Sequence, residues 1–182
     1  MLNFDRTKIP DVVRIYREKY YDNRGSFEEL ITSDIVDKLG ISCPPQVNLS
    51  VSKKGVVRGM HWQIQPHAQG KFVFCLSGSI YDVAIDLRQD SKYFMKHVSL
   101  NLNSIDGHAV WIPSGFAHGF QSLENETRVL YLASNLYEPL ASRGLLATDP
   151  ELQIEWPLEI TEMSEKDFQL PGVRQVSQLD LF

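Results

Sequence analysis

The middle of the chain carries a period of two, and this constrains its fold more than any other feature. Gln46, Asn48 and Ser50 alternate with Val47, Leu49 and Val51, the pattern of a strand with one polar and one apolar face. Similar short runs follow at Lys71–Leu76, Ser79–Leu87, His97–Leu102, Ala109–Ile112 and Arg128–Ala133. They are rich in Val, Ile, Phe and Tyr, and turn signals break them: Ser77-Gly78, Asp106-Gly107 and Pro113-Ser114-Gly115. Many short strands at close spacing predict a mainly β protein, an antiparallel sandwich or barrel of the jelly-roll kind. Side chains of a small barrel alternate between inside and outside, so the row Gln46, Asn48, Ser50 must face either water or a polar cavity.

One helix is predicted, over Phe27–Leu39 (FEELITSDIVDKL). There Leu30, Ile31, Ile35, Val36 and Leu39 share a face, and Gly40 stands where a C-cap would be. The segment after Pro150 is acidic and is expected to wrap the barrel with turns or a short helix. With 182 residues, no internal repeat and no low-complexity linker, the expectation is a single domain over residues 1–182. The net charge of −5 argues against a general nucleic-acid binder. The N-terminus MLNFDRTKIPDVV has no apolar signal core, and no run approaches a membrane span. A cytoplasmic location follows as the expectation, with no membrane partner. Cys43 and Cys75, which lack metal-site spacing, are then expected as free thiols.

Within this acidic chain, no Asp or Glu occurs from Lys38 to Tyr81. The stretch RGMHWQIQPHAQGK, Arg58 to Lys71, holds two cations and two histidines without a balancing acid. Two chemical readings compete. Small barrels that bind a metal resemble H-x-H-x3-E-x6-G followed by P-x-G-x2-H. Here Gln65 and His67 take the first two ligand places, Lys71 the acidic one, and Gly78 closes the spacing; Pro113–His118 fits the second half. An ammonium at a ligand position repels a divalent cation and glutamine replaces imidazole poorly, so no metal is expected, and His67 reads as a loop residue. The alternative is an anion site. Arg58 and Lys71 can meet a phosphate or a developing oxyanion, and His61, His118 and Tyr131, on strands or strand ends of the same barrel, are proton-transfer types. Against this, Arg and Lys at strand ends are ordinarily solvated, and Tyr131, alternating with Val129 and Ala133, reads equally well as core. Asp82 and Asp86 share a face and read as structural, pairing with Arg88 or Lys71.

Larger motifs then narrow the choice. Arg24-Gly25 in DNRGSFEEL, KGVVRGMHWQ, AQGK, GSIYDVAIDLR, WIPSGFAHGF, RGL from Arg143, DPELQIEWPL and SEKD occur in an order and spacing that span nearly the whole chain. In these the sequence resembles the dTDP-4-dehydrorhamnose 3,5-epimerase family. The resemblance implies a cupin-like jelly-roll barrel with a few short peripheral helices, no cofactor, and a homodimer built through the N-terminal segment. It also implies a substrate that is a nucleotide-diphosphate 4-keto-6-deoxyhexose, inverted beside its ketone. His61 of R-G-x-H would be the general base, and Asp167 of S-x-K-D would orient it; outside that motif Asp167, in an acidic run, would read as solvated. Lys71 would hold the enolate oxygen and Tyr131 would return a proton from the opposite face. Arg58, with Arg143 as a second candidate, would bind the diphosphate. Gln46, Asn48 and His118 would line the sugar pocket, and Tyr137 would stack on the base. Arg24 and Glu29 match positions that the family contributes across its dimer interface, although Glu29 also suits a plain helix N-terminus.

The sequence departs from the family pattern after Tyr131, where Leu132-Ala133-Ser134-Asn135-Leu136-Tyr137 lacks the usual lysine and one of two adjacent tyrosines. Trp62 stands where tyrosine is common, and the loop before Asp149 lacks a tryptophan. These changes leave open the sugar, the nucleotide, and whether carbon 3, carbon 5 or both are inverted. A ketoisomerase of the same barrel, or a sugar-nucleotide binding module without catalysis, remain the alternatives.

Overall fold

The computed structural model describes residues 3–39 and 44–182. The N-terminal part forms β1 (Asn3–Arg6), β2 (Val13–Tyr16), β3 (Lys19–Asp22), β4 (Gly25–Glu28) and the helix α1 (Ser33–Leu39). The central strands are β5 (Gln46–Ser52), β6 (Val57–Gln63), β7 (Lys71–Ser77), β8 (Ser79–Asp86) and β9 (His97–Asn103). Then come β10 (His108–Ile112), β11 (Phe116–Ser122), β12 (Thr127–Ala133), β13 (Ser142–Gly144) and a single helical turn, α2 (Glu165–Phe168).

Two antiparallel sheets face each other. One has the order β1-β2-β10-β7-β12-β5, the other β13-β6-β11-β8-β9, and β3 with β4 makes a separate hairpin. Alternation decides which residues meet between the sheets. Val73, Cys75, Val110, Ile112 and Val129 point inward from the six-stranded sheet, and Ile80, Ala84, Leu100, Phe116 and Phe120 from the other. The outer face of the six-stranded sheet carries Phe72, Phe74, Ala109 and Trp111, against which Leu30, Ile31 and Ile35 pack. The outer face of the five-stranded sheet is covered by the C-terminal segment through Leu145, Leu152, Trp156 and Phe182. No helix of the described residues is long and apolar enough to cross a membrane.

The fold is mainly β and cupin-like, and all six strands expected from periodicity are present within a residue or so at each end. The helix is not as long as expected. It covers Ser33–Leu39, while Phe27 and Glu28 pair with Tyr20 and Lys19 in the β3–β4 hairpin. Leu30 and Ile31 do share the apolar face, but from a loop, so Glu29 sits in that exposed loop and not at a helix N-terminus. The expected cap Gly40 and the expected free thiol of Cys43 fall outside the described residues; Cys75 is a buried free thiol.

Strands β6 and β11 escaped the periodicity, and their local geometry explains why. The β6–β11 register shifts between His118 and Phe120, opposite Gly59 and Met60. The extra residue of such a bulge breaks the period of two. Arg58 and His61, three apart, therefore both reach the same cavity, which an unbroken strand would forbid. Glycine makes this possible. Gly59 has φ +128°, and a Cβ there would lie 2.5 Å from the Cα of Gly119. Strand β11 is buried at every position, so it shows no alternation at all.

Candidate active site

A cavity of about 600 Å³ opens between the edge formed by β5, β12 and β7 on one sheet and by β6 and β11 on the other. The polar row answers the question its alternation raised: Gln46, Asn48 and Ser50 line this cavity, while Val47, Leu49 and Val51 face outward. Gln46 Nε2 donates to Asn48 Oδ1 (3.0 Å), and Gln46 Oε1 accepts from the Tyr137 backbone N–H (2.7 Å), so the row is fixed by its own hydrogen bonds.

The two sheets bring different chemistry to the cavity. From the five-stranded sheet comes His61, whose Nε2 lies 2.6 Å from Asp167 Oδ1. The histidine side chain is 38% exposed and the aspartate 6%, so the imidazole faces the cavity while its partner stays behind it. The SEKD motif builds this arrangement locally. Ser164 caps α2 by accepting from the Asp167 backbone N–H (3.0 Å), which holds the carboxylate against His61 and the Gly59 N–H (3.5 Å). Burial alone would raise the Asp167 pKa, but the hydrogen bonds from His61, Gly59 and Ser164 outweigh it and hold the group below the usual carboxylate value. An ionised Asp167 can only accept, so His61 Nε2 is the nitrogen that donates to it, and Nδ1 is the one turned to the cavity side of the ring.

From the six-stranded sheet come Lys71 on β7 and Tyr131 on β12, neighbours across the strand pairing Tyr131↔Val73 and Ala133↔Lys71. Burial lowers the Lys71 ammonium to about 8, with Asp82 pulling the other way. Its Nζ donates weakly to the His61 carbonyl (3.5 Å). Burial keeps the Tyr131 phenol above its ordinary pKa, with Arg58 opposing, so the hydroxyl is protonated at neutral pH and can donate.

Arg58 is anchored at the mouth: Nε donates to Ser52 Oγ (2.9 Å) and one terminal nitrogen to the Val51 carbonyl (3.1 Å). His118 also lines the cavity, and its Nε2 lies 2.7 Å from Asp82 Oδ2, with both residues buried. Asp82 and Asp86 thus separate. Asp86 is structural, accepting from Arg88 and Ser91, while Asp82 serves His118 and the charge of Lys71. Tyr137 stands half-exposed at the rim.

Three of the expected residues lie elsewhere. Arg143 is outside this cavity. Its Nε donates to Asp180 (2.7 Å) and a terminal nitrogen to the Leu140 and Ser142 carbonyls, beside a smaller hollow behind Trp62. Paired with Trp62 on β6, it is held by these bonds beside that hollow and not among the residues lining the main cavity of its own chain. Arg24, paired with Asp22 (2.6 Å), and Glu29 are exposed on and beside the β3–β4 hairpin and do not reach the cavity of their own chain. Conversely, the cavity gathers Lys53, Lys166 and Gln69, which the sequence reading did not single out. Lys166 adjoins Asp167 in the SEKD motif and Gln69 lies in the AQGK motif, signals that were available; Lys53 carried none. Of the metal frame, Gln65 and His67 lie in the turn after β6, away from the cavity, and the described residues contain no group of three or more His, Cys, Asp or Glu at metal-binding proximity.

Fold and cavity together define a class: a cupin-like jelly roll with an acid–base pocket between its sheets. Among solved structures, the chain is similar to a dTDP-6-deoxy-D-glucose-3,5-epimerase from Legionella pneumophila in complex with dTDP-4-keto-L-rhamnose. That match has 35% identity and a TM-score of 0.95, covering 100% of this chain and 97% of that one. The family model described as dTDP-4-dehydrorhamnose 3,5-epimerase matches residues 6–175, and the chain belongs to that family. A dTDP-4-dehydrorhamnose 3,5-epimerase of Shigella flexneri is 40% identical over 168 residues, 91% of this chain and 93% of the relative. A 3′-monoepimerase of Streptomyces bikiniensis, in complex with dTDP-quinovose, is more distant at 27% identity and a TM-score of 0.87, covering 92% and 86% of the two chains.

Proposed function

We propose that this protein is an isomerase that inverts carbons 3 and 5 of a dTDP-4-keto-6-deoxyhexose, in the manner its relatives' names describe. The observation that carries the reading is the opposition of two proton-transfer groups across one cavity. His61, backed by Asp167 of α2, belongs to one sheet, Tyr131 to the other, and Lys71 stands partly buried beside them.

His61 Nδ1 takes the proton from the carbon next to the ketone. The carbon–hydrogen electron pair moves into the ring bond, and the ketone oxygen becomes an enolate. The Lys71 ammonium stabilises that oxygen where its charge develops, which is worth far more in a dry cavity than in water. Collapse of the enolate takes a proton from the Tyr131 hydroxyl on the face opposite to His61, and the centre is inverted. His118 with Asp82, Gln46 and Asn48 position the sugar. Arg58, helped by Lys53 and Lys166, binds the diphosphate, and Tyr137 stacks on the base at the rim.

The reading includes a homodimer. Val47, Leu49 and Val51 leave an apolar row exposed on β5, at the edge of its sheet, and Tyr20, Tyr21 and Phe27 are exposed on the β3–β4 hairpin. Pairing two copies through these surfaces would cover both and carry Arg24 and Glu29 of each hairpin toward the partner's cavity.

Incubation in heavy water with dTDP-4-keto-6-deoxyglucose, followed by proton NMR, tests the chemistry. Loss of both the carbon-3 and carbon-5 signals is expected, and His61→Ala should retain both signals. Loss at carbon 3 alone would replace this reading by the 3-only reaction of the Streptomyces neighbour's type. Absence of exchange with the nucleotide sugar bound would refute catalysis.

A further inference from the structure

Besides the edge that holds the catalytic cavity, the described residues leave an edge of the sandwich open between β1 and β2 of the six-stranded sheet and β9, the edge strand of the five-stranded sheet. It holds a separate hollow of about 350 Å³. Its walls carry Arg6, Lys8 and Arg14 against a single carboxylate, Asp5. Arg14 pairs in register with Val110, a core residue between the sheets, so its side chain enters the sandwich from this edge. Its Nε is buried and has no hydrogen-bond partner, and Arg6, Lys8 and Arg14 enter no ion pair among the described residues. Asp5, which faces Arg14 across β1 and β2, instead accepts from the Tyr16 hydroxyl at 2.6 Å. A buried guanidinium nitrogen without an acceptor is costly, and the surplus of cations around it calls for an anion.

We infer that this second mouth binds a small phosphate-bearing anion, with Arg14 at the floor and Arg6 and Lys8 at the rim. The guanidinium fork matches two phosphate oxygens, and the lysine adds a point charge. The hollow has room beyond a bare phosphate, so a phosphate ester of metabolite size fits its chemistry. The site shares no lining residue with the catalytic cavity.

The test is a titration with inorganic phosphate, read at the arginine Nε–Hε signals by proton–nitrogen NMR, with the Arg14 signal assigned by its disappearance in Arg14→Lys. A saturable shift is expected, absent when chloride of equal ionic strength replaces phosphate. Lys8→Gln, at an exposed position, should weaken the apparent affinity about threefold, and Arg58→Ala should leave the Arg14 shift unchanged. A shift that never saturates, or that chloride reproduces, would overturn the inference and leave the hollow to water. So would a shift that Arg58→Ala abolishes, because the signal would then come from the catalytic cavity. If Arg14→Lys fails to fold, Arg6→Gln and Lys8→Gln carry the same comparison.

Discussion

Replacing Lys71 by methionine removes the ammonium while keeping most of the side-chain volume. The charge sits in a site whose burial lowers its pKa from the ordinary 10.5 to about 8, a penalty of about 3 kcal/mol on the charged form at neutral pH. Solvent reaches the partly buried residue through the open cavity and screens part of that penalty, so a gain of about 2 kcal/mol is expected in the variant. Asp82 loses a nearby positive charge but keeps the hydrogen bond from His118, so no orphaned carboxylate cancels the gain. A cation with a depressed folded-state value costs stability fully below that value. The cost is relieved as pH rises from about 8 toward the unfolded 10.5. Urea unfolding of both proteins at pH 7 and pH 10 should therefore show Lys71→Met more stable at pH 7, with most of the gap closed at pH 10. The same variant should lose roughly 10²–10³ in kcat, because the enolate oxygen has lost its counter-charge. A variant less stable than wild type by the same amount at both pH values would sink the argument that the ammonium is held there at a cost for catalysis.

Other perturbations separate the roles of the remaining groups. Asp167→Asn should lower kcat by roughly 10²-fold with little change in KM, measured by steady-state kinetics, since the base loses its ionised partner. It should also destabilise the fold at neutral pH, and because the native carboxyl titrates below its usual value, urea titrations should show the difference begin to shrink at the ordinary value of 3.8 and vanish as pH falls through the lower native one. Tyr131→Phe should retain hydrogen exchange into heavy water while epimerised product falls by roughly 10²-fold or more; equal loss of both would place Tyr131 outside the reprotonation step. Arg58→Ala should weaken dTDP binding by about 1.5–3 kcal/mol in calorimetry, the cost of a charged contact to phosphate. The proposed homodimer predicts a dimer mass for the wild type and a monomer mass for Leu49→Lys with Val51→Lys in analytical ultracentrifugation; a mass unchanged by the substitutions would remove β5 from that proposal.

Much of the protein was legible in its residues. A period of two fixes which face of a strand is apolar whatever the strand later pairs with, so six strands and the polar row on β5 could be read directly. Asp167 was readable only through the resemblance that the SEKD motif carries, although its cap is local, because Ser164 needs only its own turn to cap α2 and fix Asp167. Tertiary structure decided the rest. Strand β6 hid because a bulge, made by the close approach of Gly59 to Gly119 on another strand, broke its alternation. That bulge is also what sets Arg58 and His61 on one cavity. Phe27 and Glu28 fell inside the expected helix yet joined a hairpin, since cross-strand pairing with Tyr20 and Lys19 outcompeted a weak local preference. Arg143 was drawn away by Asp180, a partner 37 residues distant, and Asp82 was drawn toward His118 rather than Arg88. Spacing along the chain can specify which face a residue occupies. Which group stands across from it depends on strand order and register, and these are settled by packing between segments that the sequence keeps far apart.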